Sequence, residues 1–273
     1  PIVGILYWTE LIKPISNKKF LKAVIKSYTI DKGYNRNFIF FHLKDSIIFA
    51  INLIPMRVIE IAKIIDSWMP TSIAEDFDNV GLIIGDPESK ITSILVTLDT
   101  TEDVVEEAIN KGCNLIVSYH PIIFNGLKQI TNDSYVQKSV IKAVKNNISV
   151  YAIHTSLDNH PKGISYLLSD LIGLNNISVL LPKEEKLNKI KIGLGSIGEL
   201  EKPMDEITFF DLLKNKLGLK YLRHTNKLNK KISKVSVVVG SGSFAIKDSI
   251  ESNVDAFITS DFKYHNFFEA DNK

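Results

Sequence analysis

The sequence predicts an α/β protein of two lobes, internally duplicated, with αβα layers and mostly parallel sheets. Two observations support this prediction. From Met56 onward, segments rich in β-branched residues alternate with amphipathic helix patterns, as in parallel sheets with helical crossovers. Residues 91–118 also align without a gap on residues 232–259, a shift of 141 positions. A long gap-free self-match indicates a duplicated structural unit.

The elements of the first lobe follow one another in a regular order. The apolar spacing in VIEIAKIIDSW predicts a helix that ends before Pro70. The series then continues with a strand at 91–99, a helix at 101–111, a strand at 113–120, a helix at 134–146, a strand at 148–154 and a helix at 163–172.

The self-match also aligns two polar strand ends. Apolar positions coincide along strand, helix and strand, and under the same shift Tyr119 and His120 fall on Ser260 and Asp261. Both copies therefore place polar side chains just past the carboxyl end of the same strand. In open α/β sheets this edge is where ligands bind.

Composition and charge argue against several classes of protein. The net charge of +2 is not gathered into a basic stripe, so we expect no nucleic-acid partner. The single cysteine, Cys113, excludes a disulfide framework and fits a cytoplasmic location. No uninterrupted apolar stretch reaches the roughly 20 residues that span a bilayer, and no signal-peptide pattern is found, so we expect no membrane partner.

Residues 1–55 differ from the rest of the chain. They hold eight of the 33 Lys and Arg residues but three of the 31 Asp and Glu residues, and the first methionine is Met56. We expect an appendage ahead of a domain whose two lobes cover about 56–180 and 190–273, with a genuine extra structural element as the alternative. A chain shortened to begin at Met56 should then be as stable as the whole chain.

Three predicted strand ends carry residues that bind metals or transfer protons. His120 follows one strand, His154 and Asp158 follow the next, and Asp261 and His265 follow the equivalent strand of the second copy. Imidazole and carboxylate groups that converge at a sheet edge suit zinc, manganese or iron. A lone histidine at a strand end is more often a hydrogen-bonded structural residue, so it is the joint pattern that favours a metal site.

Three other stretches allow competing interpretations. Asp76 and Asp78 fit either pocket carboxylates or a capped turn. GSGS at 240–243 fits a tight turn better than a phosphate loop. GLGSIG at 193–198 lacks the βαβ context of a dinucleotide site.

Five stretches together resemble one known family. They are AEDFDNVGLIIGDP, LIVSYHPIIFNGLKQIT, VYAIHTSLDN, KIGLGSIGEL and DAFITSDFKYH, in this order between Met56 and the last residue. The chain resembles the dinuclear-metal-centre proteins known as GTP cyclohydrolase 1 type 2 homologs, or NGG-one-interacting-factor-three-like proteins. The resemblance implies a ring-shaped homohexamer with two divalent metal ions per subunit in a cleft between two α/β lobes.

The resemblance also implies roles for single residues. His120 and Asp158 match metal ligands of the family, and His154 matches a histidine near the metals. Tyr119 stands where the family pattern has another histidine, so one ligand is absent or replaced. The family's last two ligands, a histidine and a glutamate four residues apart, would follow Lys273. We therefore expect a chain truncated at its carboxyl end and an incomplete metal site.

The internal repeat leads to the same expectation. The counterpart of strand 148–154 would lie at about 289–295, after the last residue. We expect the second lobe to lack this closing strand and to leave an unpaired strand edge.

These implications support three functional hypotheses. The first is a metal-dependent hydrolase of a nucleotide or related heterocycle, in which the metal lowers the pKa of a bound water molecule. The second is a non-catalytic metal-binding scaffold or regulatory interaction protein, and the third is an inactive fragment. The sequence identifies no catalytic residue, and the expected substrate is a nucleotide-like small molecule.

Overall fold

The computed structural model describes residues 2–5, 39–43, 46–50, 56–187 and 189–273. In chain order, the strands within these ranges are β1 (Ile2–Ile5), β2 (Ile39–Leu43), β3 (Ser46–Ala50), β4 (Gly81–Ile84), β5 (Ser93–Thr97), β6 (Leu115–Ser118), β7 (Ser149–Ala152), β8 (Leu174–Leu187), β9 (Ile190–Asp205), β10 (Lys231–Val238) and β11 (Ala256–Thr259). The α-helices are α1 (Val58–Trp68), α2 (Glu102–Asn110), α3 (Tyr135–Lys145), α4 (His154–Asn159), α5 (Ile164–Ile172), α6 (Glu206–Leu217), α7 (Ile246–Glu251) and α8 (Asn266–Glu269).

The chain divides into two compact units. The first unit is Gly33–Leu157, and the second unit combines Pro1–Lys32 with Asp158–Lys273. The predicted boundary between the lobes lies at about 180–190, whereas the compact units divide after Leu157. The observed boundary is earlier because α5 packs on β8 and β9 and so belongs to the second unit. In the ranges described, no helix is both long enough and apolar enough to cross a bilayer.

The sheet of the first unit has the strand order β2-β3-β5-β6-β7-β4. Strands β5, β6 and β7 are parallel, whereas β2, β3 and β4 join by antiparallel pairing. Helices α2 and α3 lie in the two crossovers between the parallel strands. The carboxyl ends of β5, β6 and β7 consequently meet at one edge of the sheet.

Helices α2 and α3 form where the sequence provides both a cap and an apolar face. The Thr101 hydroxyl accepts a hydrogen bond from the Val104 amide, and the Ser134 hydroxyl accepts one from the Gln137 amide. These bonds satisfy backbone donors that the first turn of a helix leaves unpaired. The apolar faces pack in one core with the sheet, which includes Leu95, Ile116, Val150, Val105 and Ala143, all fully buried. Burial of each larger side chain contributes about 2 kcal/mol.

The sheet of the second unit has the strand order β1-β11-β10-β9-β8. Strands β10, β11 and β1 are parallel, and β9 and β8 are antiparallel to their neighbours. The prediction of an α/β fold is confirmed, and each sheet is mixed because antiparallel strands flank the parallel ones.

The strand register confirms the internal duplication. Ile94 pairs with Leu115 in the first sheet, and Val235 pairs with Ala256 in the second, each 141 positions later. Helix α2 corresponds to α7 and the short 3₁₀ turn directly before it. Each copy is therefore a β-helix-β unit with the same parallel register.

Strand β1 occupies the edge that the sequence was expected to leave open. Ile2 pairs with Ala256 in parallel, as Ser149 pairs with Leu115 in the first unit. The expectation of an unpaired edge on β11 is therefore wrong, because β1 takes the place equivalent to β7. The hairpin of β2 and β3 likewise pairs with β5 as the hairpin of β8 and β9 pairs with β10. Strands from residues 1–55 thus extend both sheets.

Candidate functional site

Three neighbouring strands of the first unit end in register. Thr97, Ser118 and Ala152 are paired neighbours at the ends of β5, β6 and β7. Two positions further along these three paths stand Asp99, His120 and His154. Functional groups from three separate segments are therefore delivered to the same level of one sheet edge.

The backbone after the strands continues the hydrogen-bonding pattern. The His120 amide donates to the Leu98 carbonyl and the His154 amide donates to the Tyr119 carbonyl, both at 2.9 Å. The Ser118 hydroxyl also donates to the His120 carbonyl at 2.9 Å. These bonds hold both imidazoles on ordered backbone at the end of the sheet.

His120 is paired with a carboxylate that the sequence analysis did not identify. Its Nδ1 atom lies 2.8 Å from Oδ1 of Asp99. A neutral imidazole that donates from Nδ1 keeps its lone pair on Nε2, the nitrogen that can accept a proton or bind a metal. Asp99 thus favours the tautomer in which Nε2 of His120 is the reactive atom.

His154 has an equivalent arrangement with Asp78. Its Nδ1 atom lies 2.8 Å from Oδ1 of Asp78, whose side chain is fully buried. The same carboxylate accepts hydrogen bonds from the Thr155 amide at 3.0 Å and from the Thr155 hydroxyl, while the Asn79 amide donates to it at 2.8 Å. Asp78 therefore holds the ring of His154 and the beginning of α4 together.

The environment of Asp78 keeps its carboxyl group ionised. Burial alone raises the pKa of this group, but the hydrogen bonds from His154 and Thr155 and the charge of His154 outweigh burial and lower the pKa from 3.8 to about 2. The carboxylate thus remains an acceptor throughout the neutral range.

Aromatic packing fixes the distance between the two imidazoles. The ring centroids of His120 and His154 are 5.4 Å apart. The ring of Tyr119, which is buried, meets His120 at 4.7 Å and His154 at 5.3 Å in edge-to-face contacts. Tyr119 is therefore a packing element of the site.

The structure brings together part of the predicted site. Tyr119, His120 and His154 lie in one cluster, although His154 begins α4 and is not the last residue of the preceding strand. Asp158 lies four residues after His154 on α4 and begins the segment Asp158–Lys273 of the second unit. Asp261 and His265 also belong to the second unit.

Those two residues have separate partners. Asp261 accepts a hydrogen bond from the Ser241 hydroxyl at 3.0 Å. The ring of His265 meets the ring of Tyr264 edge-on at 5.2 Å.

Sequence reasoning missed Asp99 and left Asp78 undecided. Asp99 follows its strand as His120 follows the next, so the in-register strand ends were a signal that could have identified it. Asp78 takes part in the turn, because it accepts from the adjacent Asn79 amide, and the same carboxylate also holds His154; its role as a pocket carboxylate stays a prediction.

A divalent metal ion fits this donor set in part. Two imidazoles whose Nδ1 atoms contact carboxylates match the way proteins orient histidine ligands. Within the ranges that the structure describes, however, no group of three or more His, Cys, Asp or Glu side chains is placed to hold an ion. The described side chains therefore supply an oriented imidazole pair and not a closed coordination shell.

Sequence comparison relates the chain to one family over most of its length. Residues 56–273 match the family model described as Duf34/NIF3 (NGG1p interacting factor 3). A GTP cyclohydrolase 1 type 2 homolog of Clostridium acetobutylicum is 37% identical over 210 residues, which cover 77% of this chain and 78% of the relative. The protein of the same name from Clostridium perfringens is 36% identical, with 77% and 79% covered.

Solved structures show the same relationship. The Staphylococcus aureus hypothetical protein SA1388 superposes with a TM-score of 0.73 at 30% identity, covering 80% of this chain and 83% of the other. A Bacillus cereus protein related to NIF3 also superposes with a TM-score of 0.73, at 25% identity, covering 79% of this chain and 85% of the other.

Proposed function

Because the chain belongs to the Duf34/NIF3 (NGG1p interacting factor 3) family, we propose that it binds divalent metal ions and hydrolyses a nucleotide or a related heterocycle. The observation that carries this proposal is the pair of imidazoles, His120 and His154, each with Nδ1 held by a carboxylate. The name of its relatives, GTP cyclohydrolase 1 type 2 homolog, points to a purine nucleotide as the substrate class.

The proposed ligands are those that match the family motifs. His120 would ligate through Nε2 and Asp158 through its carboxylate, with zinc, manganese or iron as the ion. When bound, such an ion would lower the pKa of a bound water molecule toward 7 and would polarise the bond under attack.

The other residues of the site position the histidines and transfer protons. Asp99 and Asp78 hold the Nδ1 protons of the two histidines, which leaves the Nε2 lone pairs directed away from the carboxylates. His154 can accept a proton at Nε2 from an attacking water molecule and return it to a leaving group. Asp78 and Asp99 are positioning residues in this scheme.

Metal loading provides the first test. The purified protein is incubated with Zn²⁺ or Mn²⁺, desalted and assayed for metal content. His120→Ala and Asp158→Ala should each lower the metal content, and His224→Ala is the control because His224 is an exposed histidine that stacks on Phe210 in the second unit. Unchanged metal content in both site variants would contradict the ligand assignment.

Turnover provides the second test. The metal-loaded protein should convert GTP or a related nucleotide to a ring-opened or hydrolysed product, and His154→Ala should abolish this conversion while it retains metal. Metal binding without turnover of any nucleotide would favour the non-catalytic scaffold. The homohexamer and the cytoplasmic location stay predictions, which light scattering and cell fractionation can measure.

A further inference from the structure

Two exposed phenylalanines lie beside the histidine pair. Phe77 is 67% exposed and Phe124 is 44% exposed, yet their ring centroids are only 6.3 Å apart. Phe124 also meets His154 edge-on at 6.1 Å. A continuous aromatic surface therefore runs from solvent to the imidazole of His154.

The two loops that carry these rings are fixed to each other and to the site. Phe77 directly precedes Asp78, the carboxylate that holds His154. The side-chain amide of Asn79 donates to the carbonyl of Ile123, the residue before Phe124, at 2.6 Å. The rings thus stand on anchored backbone, which lowers the entropy that a ligand must remove on binding.

The surroundings of the rings indicate the chemistry of a ligand. A single exposed phenylalanine needs no explanation, but a pair in contact at a candidate site is an apolar surface available for binding. At its inner end this surface meets the imidazole of His154, which is next to the ring of His120 and its partner Asp99. A matching ligand has a flat apolar face and a polar, hydrogen-bonding edge, which describes a planar heterocycle and not an alkyl chain.

We propose that Phe77 and Phe124, whose rings are tilted by 58° to each other, form a platform on which the planar heterocyclic ring of the ligand stacks against one phenylalanine and meets the other at its edge, with its polar edge toward His154. The proposal rests on the proposed function, which assigns the reacting groups. It adds that the protein recognises the substrate through its planar ring. Stacking on an aromatic face tolerates different bases, because every base has a π-face. Discrimination between bases would then come from the polar edge.

Two matched probes test the platform without any turnover. Guanosine 5′-monophosphate and ribose 5-phosphate share the sugar phosphate and differ in the base, and their binding to the full chain is measured by titration calorimetry. The wild-type protein should bind the nucleotide more tightly. Phe77→Leu and Phe124→Leu, which keep an apolar side chain, should each weaken nucleotide binding about tenfold and leave ribose 5-phosphate binding unchanged.

The control is Phe244→Leu, at a phenylalanine that is 55% exposed in the second unit, and it should leave both affinities unchanged. Equal binding of the two probes to the wild type, or unchanged nucleotide affinity in both site variants, would overturn the platform. The outcome is separable from that of the hydrolase proposal. Base-dependent binding that both leucine variants weaken supports the platform even if no nucleotide is turned over, and turnover with an unchanged KM in both leucine variants contradicts the platform alone.

Discussion

The replacement Asp78→Asn tests whether one buried carboxylate holds the histidine site together. The charged carboxylate accepts from His154, from the Thr155 amide and hydroxyl, and from the Asn79 amide. Asparagine has the same shape but only one acceptor oxygen. Each carboxylate oxygen accepts from two donors, so replacing either oxygen by an NH₂ group leaves at least one backbone amide, that of Asn79 or of Thr155, without its acceptor, and the negative charge is lost as well.

The structure gives a magnitude for this change. The pKa of Asp78 falls from 3.8 to about 2 on folding, and at roughly 1.4 kcal/mol per unit the ionised carboxylate contributes about 2 kcal/mol of stability. An unpaired buried donor costs at least about 1 kcal/mol more. We expect Asp78→Asn to lower the free energy of unfolding by about 3 kcal/mol at pH 7.

The pH dependence separates the charge from the lost hydrogen bond. Because the folded pKa is depressed, the stability from the charge is fully present above 3.8 and is lost as the pH falls toward 2. The difference in unfolding free energy between wild type and variant should therefore narrow by about 2 kcal/mol between pH 5 and pH 2.

Urea unfolding followed by circular dichroism at several pH values measures this difference. Asp76→Asn, an exposed aspartate on the same loop, is the matched control and should cost less than about 0.5 kcal/mol. A difference that stays constant from pH 7 to pH 2, or a control as destabilised as Asp78→Asn, would refute the reasoning.

Three further predictions concern other parts of the structure. Asp99→Ala should weaken metal binding at His120 at least about tenfold, by isothermal titration with Zn²⁺, while thermal stability changes little because Asp99 is more than half exposed. Gly85→Ala should lower the unfolding free energy by at least about 2 kcal/mol, because φ of Gly85 is +114° and an added Cβ would collide with Ser149. Gly112→Ala should cost only about 1 kcal/mol, because φ of Gly112 is +66° and nothing lies within 4 Å of an added Cβ. An equal effect of the two replacements would contradict this geometry. The sequence alone predicted that a chain beginning at Met56 would be as stable as the whole chain, but the strand pairing reverses this expectation. Removal of residues 1–55 should lower the thermal midpoint by several degrees, because it uncovers edges of β11 and β5, and an unchanged midpoint would show that this pairing contributes nothing.

The sequence predicted the elements that local periodicity determines. The helix at Val58–Trp68 ends before Pro70 as expected, and α2 begins after Thr101 with acidic residues in its first turn. The internal repeat was also recognisable in the sequence, because apolar residues 141 positions apart occupy equivalent places in the two cores. These features depend on neighbouring residues and on side-chain burial, both of which leave a regular pattern in the chain.

The sequence did not predict the contacts that join distant segments. Asp78 lies 76 residues before His154, and β1 lies more than 250 residues before its partner β11. A strand pattern shows that a segment can pair, but it does not show which edge accepts it. The histidines of the site were therefore predictable from their strand ends, and Asp99 could have been found in the same way, whereas the pairing of Asp78 with His154 needed the tertiary structure.

In the part of the chain that the structure describes, the histidine pair belongs to the first copy of the duplicated unit. Under the shift of 141, Gly240 replaces Asp99 and Asp261 replaces His120. In the second copy the amides of Ser260 and Asp261 both donate to the Gly240 carbonyl at 3.1 Å, so backbone groups close the turn. Burial in the core maintains the apolar residues of both copies, whereas His120 and Asp261, two positions past the ends of their strands, are not buried and can differ. The two copies can therefore share strands, helix and register while, among the described residues, the first presents an imidazole held by a carboxylate and the second does not. His265→Ala should accordingly leave metal content unchanged where His120→Ala lowers it.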